Sequence, residues 1–236
     1  MAVSIDNVYQ KVLAFANKEQ RGYITPQEFN LFAHQAQGEI LEQYFYDINQ
    51  WGKQHGNDTE YSDMLSVLQE KLSVLEILLP NQQTTAGVYN YRAAIADLYK
   101  LGSVHTTHPT NGQKIEIEQV NNNEWYHMQS APLTRPTLAR PIYINRQSGL
   151  NIYPSTIENI DISYTKIPTS PNWNYIVVND KALYNLTIST DFELHASEES
   201  ELVYRILALA GISIEKPNLT QVAASLEQAK VQQEKQ

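Results

Sequence analysis

The sequence predicts an α+β fold: a helical bundle of N-terminal helices and a C-terminal helix pair, with an inserted, mainly antiparallel β domain, either barrel or sandwich. Three observations carry that expectation. Apolar residues recur at three- and four-residue steps through about the first eighty positions; most of the prolines and several short Ile-, Val-, Tyr- and Thr-rich runs collect between about 86 and 196; and helical spacing returns from Ser197. The expected organisation is therefore an N-terminal helical bundle over 1–85, a β-rich domain over 86–196, and a C-terminal helix pair over 197–236.

Ile5, Val8, Tyr9, Val12, Leu13 and Ala16 make the stripe of a first helix, which stops near Gly22. A second runs from Pro26 to about Trp51 on the apolar set Phe29, Phe32, Ala33, Ala36, Ile40, Tyr44, Phe45 and Ile48, roughly 39 Å of rod at 1.5 Å per residue. Gly38 in its middle reads as a point of close contact. A third helix is expected from Asn57 or Asp58 through Leu68, Leu72, Leu75 and Leu79, ended by Pro80. Beyond it, "KIEIEQV", "RPIYINRQSGLNIYPS", "IENIDISYTKIP" and "WNYIVVNDKALYN" read as strands. Two hairpins are expected within them, one turning at Ser148 and Gly149, the other around Asn179 and Asp180. "NNNEWYHMQ" reads as a short helix, and "YRAAIADLYK" fits helix or strand. Ser197 is placed as the N-cap of a helix with the stripe Leu202, Val203, Ile206, Leu207 and Ala210. A last helix from about Asn218 carries a narrow apolar seam of Leu219, Val222, Ala223, Leu226 and Ala229, too thin to build its own core and therefore a docking interface for a partner.

Composition excludes several classes of function. The 236 residues contain no cysteine, so disulfides, thiolate metal sites and cysteine nucleophiles are out. The net charge is -9 with no cluster of Lys and Arg, which leaves no counterion-releasing grip on nucleic acid: DNA near the protein is not expected to be held by it. No basic-plus-apolar leader and no bilayer-length apolar run is present, so a soluble, cytoplasmically made protein without membrane contact is expected.

The stretch "NKEQRGYITPQEF", residues 17–29, has the outline of a calcium-binding loop, with Gly22, Ile24 and Glu28 at its turn, hydrophobic and bidentate positions. Its ligands fail. The first position is the neutral Asn17, and Arg21 stands where an oxygen is needed. A helix start uses the same residues fully: Gly22 ends one helix, Thr25 caps the next, Pro26 takes its first position, Glu28 completes a capping box, and Ile24 and Phe29 form the hydrophobic staple. No metal and no cofactor is expected. His105 and His108 in "HTTH" lack a third ligand, and His34, His55, His127 and His195 are scattered. No nucleophile elbow and no phosphate-binding glycine loop occurs, so no catalytic residue is assigned. The fifteen tyrosines read as strand faces and core edges.

The segments "NKEQRGYITPQEFNLFAHQAQGEILEQYF", "APLTRPTLARPIYI", "IYPSTI" and "ESELVYRILALAGISIEKPNLTQVAASLEQAKVQQEKQ" together resemble virion structural proteins of tailed bacteriophages, notably the crAss-like and related short-tailed groups. That resemblance implies a ring-forming head–tail connector or adaptor without enzymatic activity, located in the virion. Its partners would be identical subunits in a ring, a dodecamer by analogy with the portal it docks beneath, together with the portal and neighbouring tail or ring proteins. Two other readings compete: another virion component, whether capsid-associated, tail or ejected protein, and a degenerate EF-hand-like calcium-binding module.

Overall fold

The computed structural model describes residues 3–18, 24–51, 59–108, 112–179 and 181–213, together with Ser225. In chain order its elements are α1 (Ile5–Lys18), α2 (Pro26–Trp51), α3 (Thr59–Ser73), β1 (Glu76–Gln83), β2 (Val88–Tyr89), α4 (Tyr91–Ala94), β3 (Leu98–Thr107), β4 (Lys114–Glu116), β5 (Glu118–Gln119), α5 (Asn122–Ser130), β6 (Ile142–Arg146), β7 (Gly149–Tyr153), β8 (Asn159–Lys166), β9 (Tyr175–Val178), β10 (Lys181–Tyr184) and α6 (Glu199–Ser213). The fold is α+β, with the sheets inserted in a helical chain. It divides into two compact units, residues 1–75 with 168–236, and residues 76–167. These boundaries fall ten residues earlier than 85/86 and about thirty earlier than 196/197, because β1 already belongs to the sheets while β9 and β10 belong with the helices.

The helical unit is organised around α6, which lies against α1 and α2. Leu202, Val203, Ile206, Leu207 and Ala210 are all buried, as their spacing predicts, among Val8 and Val12 of α1, Phe29, Ala33, Ala36 and Ile40 of α2, and Leu68 and Leu72 of α3. Returning chain from 168–198 ties the helices together. Val3 and Phe192 form an antiparallel bridge, the Asp191 carboxylate accepts the Ile5 amide at the start of α1 (2.9 Å), and the buried Gln37 amide donates to the Thr169 carbonyl while accepting the Glu193 amide.

Among the described residues of this unit, two ion pairs are buried. Glu198, fully enclosed, meets the ammonium of Lys71 from α3 at 2.8 Å, and Lys71 also lies over the Tyr44 ring. Arg205 bonds Glu201 one turn earlier through Nε and Nη2 (2.9 and 2.7 Å), bonds Gln43, and has Glu39 within 3.6 Å. The expected N-cap at Ser197 moves accordingly. Residues 196–198 form a 3-10 turn capped by His195, whose side chain accepts the Ser197 amide, and this places Glu198 inside rather than in an exposed first turn.

The inserted unit is a sandwich. One open sheet has the order β1-β8-β3-β4, the other β2-β7-β6-β5, and neither closes into a barrel. Ile160, Ile162 and Tyr164 of β8 and Val104 of β3 share a core with Tyr143 of β6 and Leu150 and Ile152 of β7. Neighbouring β6 residues Ile142 and Ile144 point the other way, into a cluster with Trp125 of α5, where the indole stacks on Tyr153 at 3.9 Å. Covered on both faces, β6 is buried at three consecutive positions. Gly149 allows the second sheet to close up: its φ is 119°, and a Cβ there would collide with the Tyr89 carbonyl of β2.

Four local expectations are corrected. The third helix stops at Ser73, not Pro80; Glu76–Gln83 is an edge strand whose register shifts between Leu79 and Gln82, and Pro80 sits in that bulge, where no ladder donor is needed. "KIEIEQV" is split, its first half antiparallel to β3 and its second parallel to β6, with buried Ile117 at the crossing between sheets. The β6–β7 turn is Gln147–Ser148, since Arg146 pairs with Gly149. Gly38 is exposed with open space around its Cα, so it marks no close contact.

Removing one partner of the Lys71–Glu198 pair strands a buried charge, so Lys71→Met alone is expected to cost about 3 kcal/mol or more. The double variant Lys71→Met/Glu198→Leu should recover most of that loss. Urea denaturation of the two variants beside the parent chain measures both.

Candidate interaction surface

Glu28 and Thr25 form the capping box that the sequence predicts. The Thr25 amide and hydroxyl donate to Glu28 Oε2 (2.9 and 2.8 Å), and the Glu28 amide donates back to Thr25 Oγ1 at 3.3 Å. Ile24 and Phe29 are both buried in the helical core, the arrangement a staple requires. Gly22 lies outside the described residues. Bonding from the Thr25 amide, then from its hydroxyl, holds the Glu28 carboxyl below its usual range. That carboxylate is committed to the helix start, which is a structural role.

Other chemistry-bearing groups are likewise occupied. His105 lies on β3, opposite Glu116 on one side and Asp161 on the other. Asp161 accepts from Lys114 (2.6 Å) and from the Asn81 amide (2.9 Å), and these two bonds hold its carboxyl below the usual range. Near it, a cleft of about 460 Å³ is lined by Asn81, Thr106 and Glu158 among others, but the Thr106 hydroxyl is spent on the Asn159 carbonyl. Ser197 Oγ lies 3.0 Å from His195 Nδ1 and donates to the ion-paired Glu198 (2.9 Å), while Nδ1 also accepts the Ser197 amide, so both side chains take part in the helix start. Among the described residues no three His, Asp or Glu side chains are grouped to hold a metal, and no helix is long and apolar enough to cross a membrane.

What remains is an apolar surface. β9 and β10 pair antiparallel from Tyr175↔Tyr184 to Lys181↔Val178, joined by a two-residue turn in which Asn179 takes a left-handed conformation with φ 49°. One face of this hairpin is anchored. Tyr175 and Tyr184 stack on Trp173 with ring centroids 5.7 and 5.9 Å away, and Trp173, only 3% exposed, is fastened by Asp6 of α1 (Nε1 to Oδ1, 2.9 Å), by Asn30 of α2 (2.7 Å to its amide) and by the Tyr9 ring at 4.3 Å. The cross-strand pair on the opposite face, Ile176 and Leu183, is 49% exposed at each position, and Val177, Leu186 and Ile188 are exposed by 65%, 74% and 54%. Asn185 and Asn174 extend the ladder by one bond, and an Asn185 turn carries Leu186 outward.

The sequence marks this segment as a hairpin, but nothing local shows that its outer face is left uncovered. Apolar residues at successive positions in "YIVV" call for cover on both faces, and among the described residues Ile176 and Val177, on opposite faces of the strand, are both left exposed. The sequence-predicted docking residues Leu219, Val222, Ala223, Leu226 and Ala229 lie outside the described residues. Compared with known proteins, the chain matches no family model and no curated protein.

Two outcomes follow from this geometry. Thr25→Ala should cost about 1 kcal/mol in urea denaturation at neutral pH. Because the folded Glu28 pKa is depressed, its share of stability is present above the unfolded carboxyl pKa and fades as pH falls through the folded value, so the gap between parent and variant should narrow in acid. Ile176→Asp, at an exposed position, should leave the melting temperature nearly unchanged, whereas Trp173→Ala should lose about 3 kcal/mol or more.

Proposed function

We propose that this chain is a non-enzymatic virion protein of a tailed phage, a ring-forming connector subunit that docks on the portal and extends the channel through which DNA passes. The observation that carries the reading is the exposed apolar hairpin on the helical unit, in which Ile176, Val177, Leu183, Leu186 and Ile188 are each about half exposed or more, the kind of exposure that marks a protein contact. Around it, a chain of net charge -9 without basic clusters suits a wall that lets DNA slide past, since phosphate gains nothing from it. The Glu28 and Glu198 carboxylates and the Ser197 hydroxyl are engaged in caps and an ion pair, which accords with a protein that works by fitting surfaces together. The resemblance of the quoted segments to short-tailed phage proteins supplies the identity of the assembly.

Light scattering and negative-stain microscopy of the purified chain, alone and with the portal protein of the same genome, test this reading. Rings, or a monomer that forms rings beside the portal, are expected. A monomer indifferent to portal at all concentrations would overturn the connector role and move the protein to another layer of the particle. Deleting residues 218–236 is expected to abolish attachment while the body still melts cooperatively.

A further inference from the structure

We infer that neighbouring copies join through the β9–β10 hairpin, edge to edge: the outer edge of β9 in one copy pairs with the outer edge of β10 in the next, head to tail around the ring. This inference rests on the ring reading and names the contact that builds it. Among the described residues the hairpin is a two-stranded sheet, so β9 and β10 each have an outer edge paired with no further strand. Such edges present rows of backbone donors and acceptors that invite another strand, and natural proteins protect them with charge, proline or cover. Among the described residues these guards are sparse along the strands: no proline, and one charge, Lys181 at the first position of β10. "YIVV" contains no charged residue and no proline, "KALY" carries only its leading Lys181, and between residues 174 and 190 the charged residues are Asp180 and Lys181, adjacent in sequence and cancelling.

Charge and geometry both favour a second copy as the occupant. Like chains of net charge -9 repel one another, and they meet at least cost where the facing surfaces are neutral, as this segment is. A cationic partner would be drawn elsewhere on the chain, and an anionic one finds no Lys or Arg cluster here. The two open edges are different surfaces, and that is what a ring requires: a self-matching patch gives a two-fold pair, whereas two unlike complementary patches give a cyclic or helical array. With all hairpins pointing the same way about the ring axis, β9 of one copy runs antiparallel to β10 of the next, so the antiparallel ladder seen within the hairpin continues across copies. Ile176 of one copy then lies beside Leu183 of its neighbour, repeating the apolar pair found within each copy. A four-residue pairing is a small contact by itself; closure holds every copy at both edges, as in a barrel that has no edge left.

The absence of cysteine makes the test clean, because a single introduced cysteine crosslinks only between copies. Ile176→Cys and Leu183→Cys chains carrying tags of different mass are prepared separately, mixed at assembly concentration, and treated with a short bismaleimide. Leu133→Cys, a highly exposed position in the inserted unit, reports random collision. The expected result is several-fold more mixed 176–183 adduct than either self-adduct, and more than the Leu133→Cys background. Dominant self-adducts would overturn the inference in favour of a two-fold face contact, and adducts at background level would overturn it outright. Both cysteine replacements are at half-exposed sites, and melting curves confirm that each chain folds. Imaging the same samples with portal separates the two claims. Rings without the 176–183 adduct sink the edge contact and leave the connector role standing; the adduct without rings does the reverse.

Discussion

The helical unit depends on one anchored indole. Trp173 follows on the chain that returns from the sandwich, and it is held at three points: its indole by a hydrogen bond to Asp6 and an aromatic contact with Tyr9, and its backbone by bonds with the Asn30 side chain. Tyr9 in turn meets Phe29 edge to face at 4.8 Å. Through these contacts the first and second helices are located relative to each other by a residue more than 140 positions away in sequence from its partners Asn30 and Asp6. The hairpin that follows inherits this rigidity, since both strands begin or end on a tyrosine stacked on the same indole. An apolar surface is useful for recognition when it is presented by something that does not move, and a stacked aromatic base is a low-entropy way to achieve that.

Buried charge fixes α6 within the same unit. Lys71 and Glu198 exclude water from each other's charges, and Arg205 gathers Glu201, Glu39 and Gln43. Apolar replacements of similar volume would hold such positions at least as strongly, so net stabilisation is a poor explanation for the pairs. Specificity is a better one. A helix such as α6, buried nearly all round, slides or rotates at little cost if only Leu, Val and Ile define its seat, and an ion pair that must meet its partner sets one alignment among several.

In the inserted unit the corresponding constraint is the double-sided burial of β6. Its inner face serves the sandwich and its outer face serves Trp125 and Met128, so the strand cannot slip by one residue without losing both clusters. The short parallel partner β5 and the antiparallel partner β7 flank it, which places the chain crossing at Ile117 where one sheet gives way to the other. A segment that looks like one strand in sequence is thus two, because a strand long enough to be read as a unit is still free to divide its hydrogen bonds between sheets.

Much was legible in the residues themselves. The apolar stripe of α1, the bounds of α2, the stripe of α6, the capping box of Thr25 and Glu28, the helix at Asn122–Ser130 and the Asn179 hairpin all follow from spacing, cap chemistry and turn chemistry, which act within a few residues and are therefore written locally. Tertiary structure alone decided the rest. That Leu75 to Leu79 leaves a helix for an edge strand, that Glu198 turns inward to Lys71, and that Ile176 and Leu183 are left bare depends on which distant segment arrives opposite them. Pattern states which residues seek cover; only the packed chain determines which of them receive it.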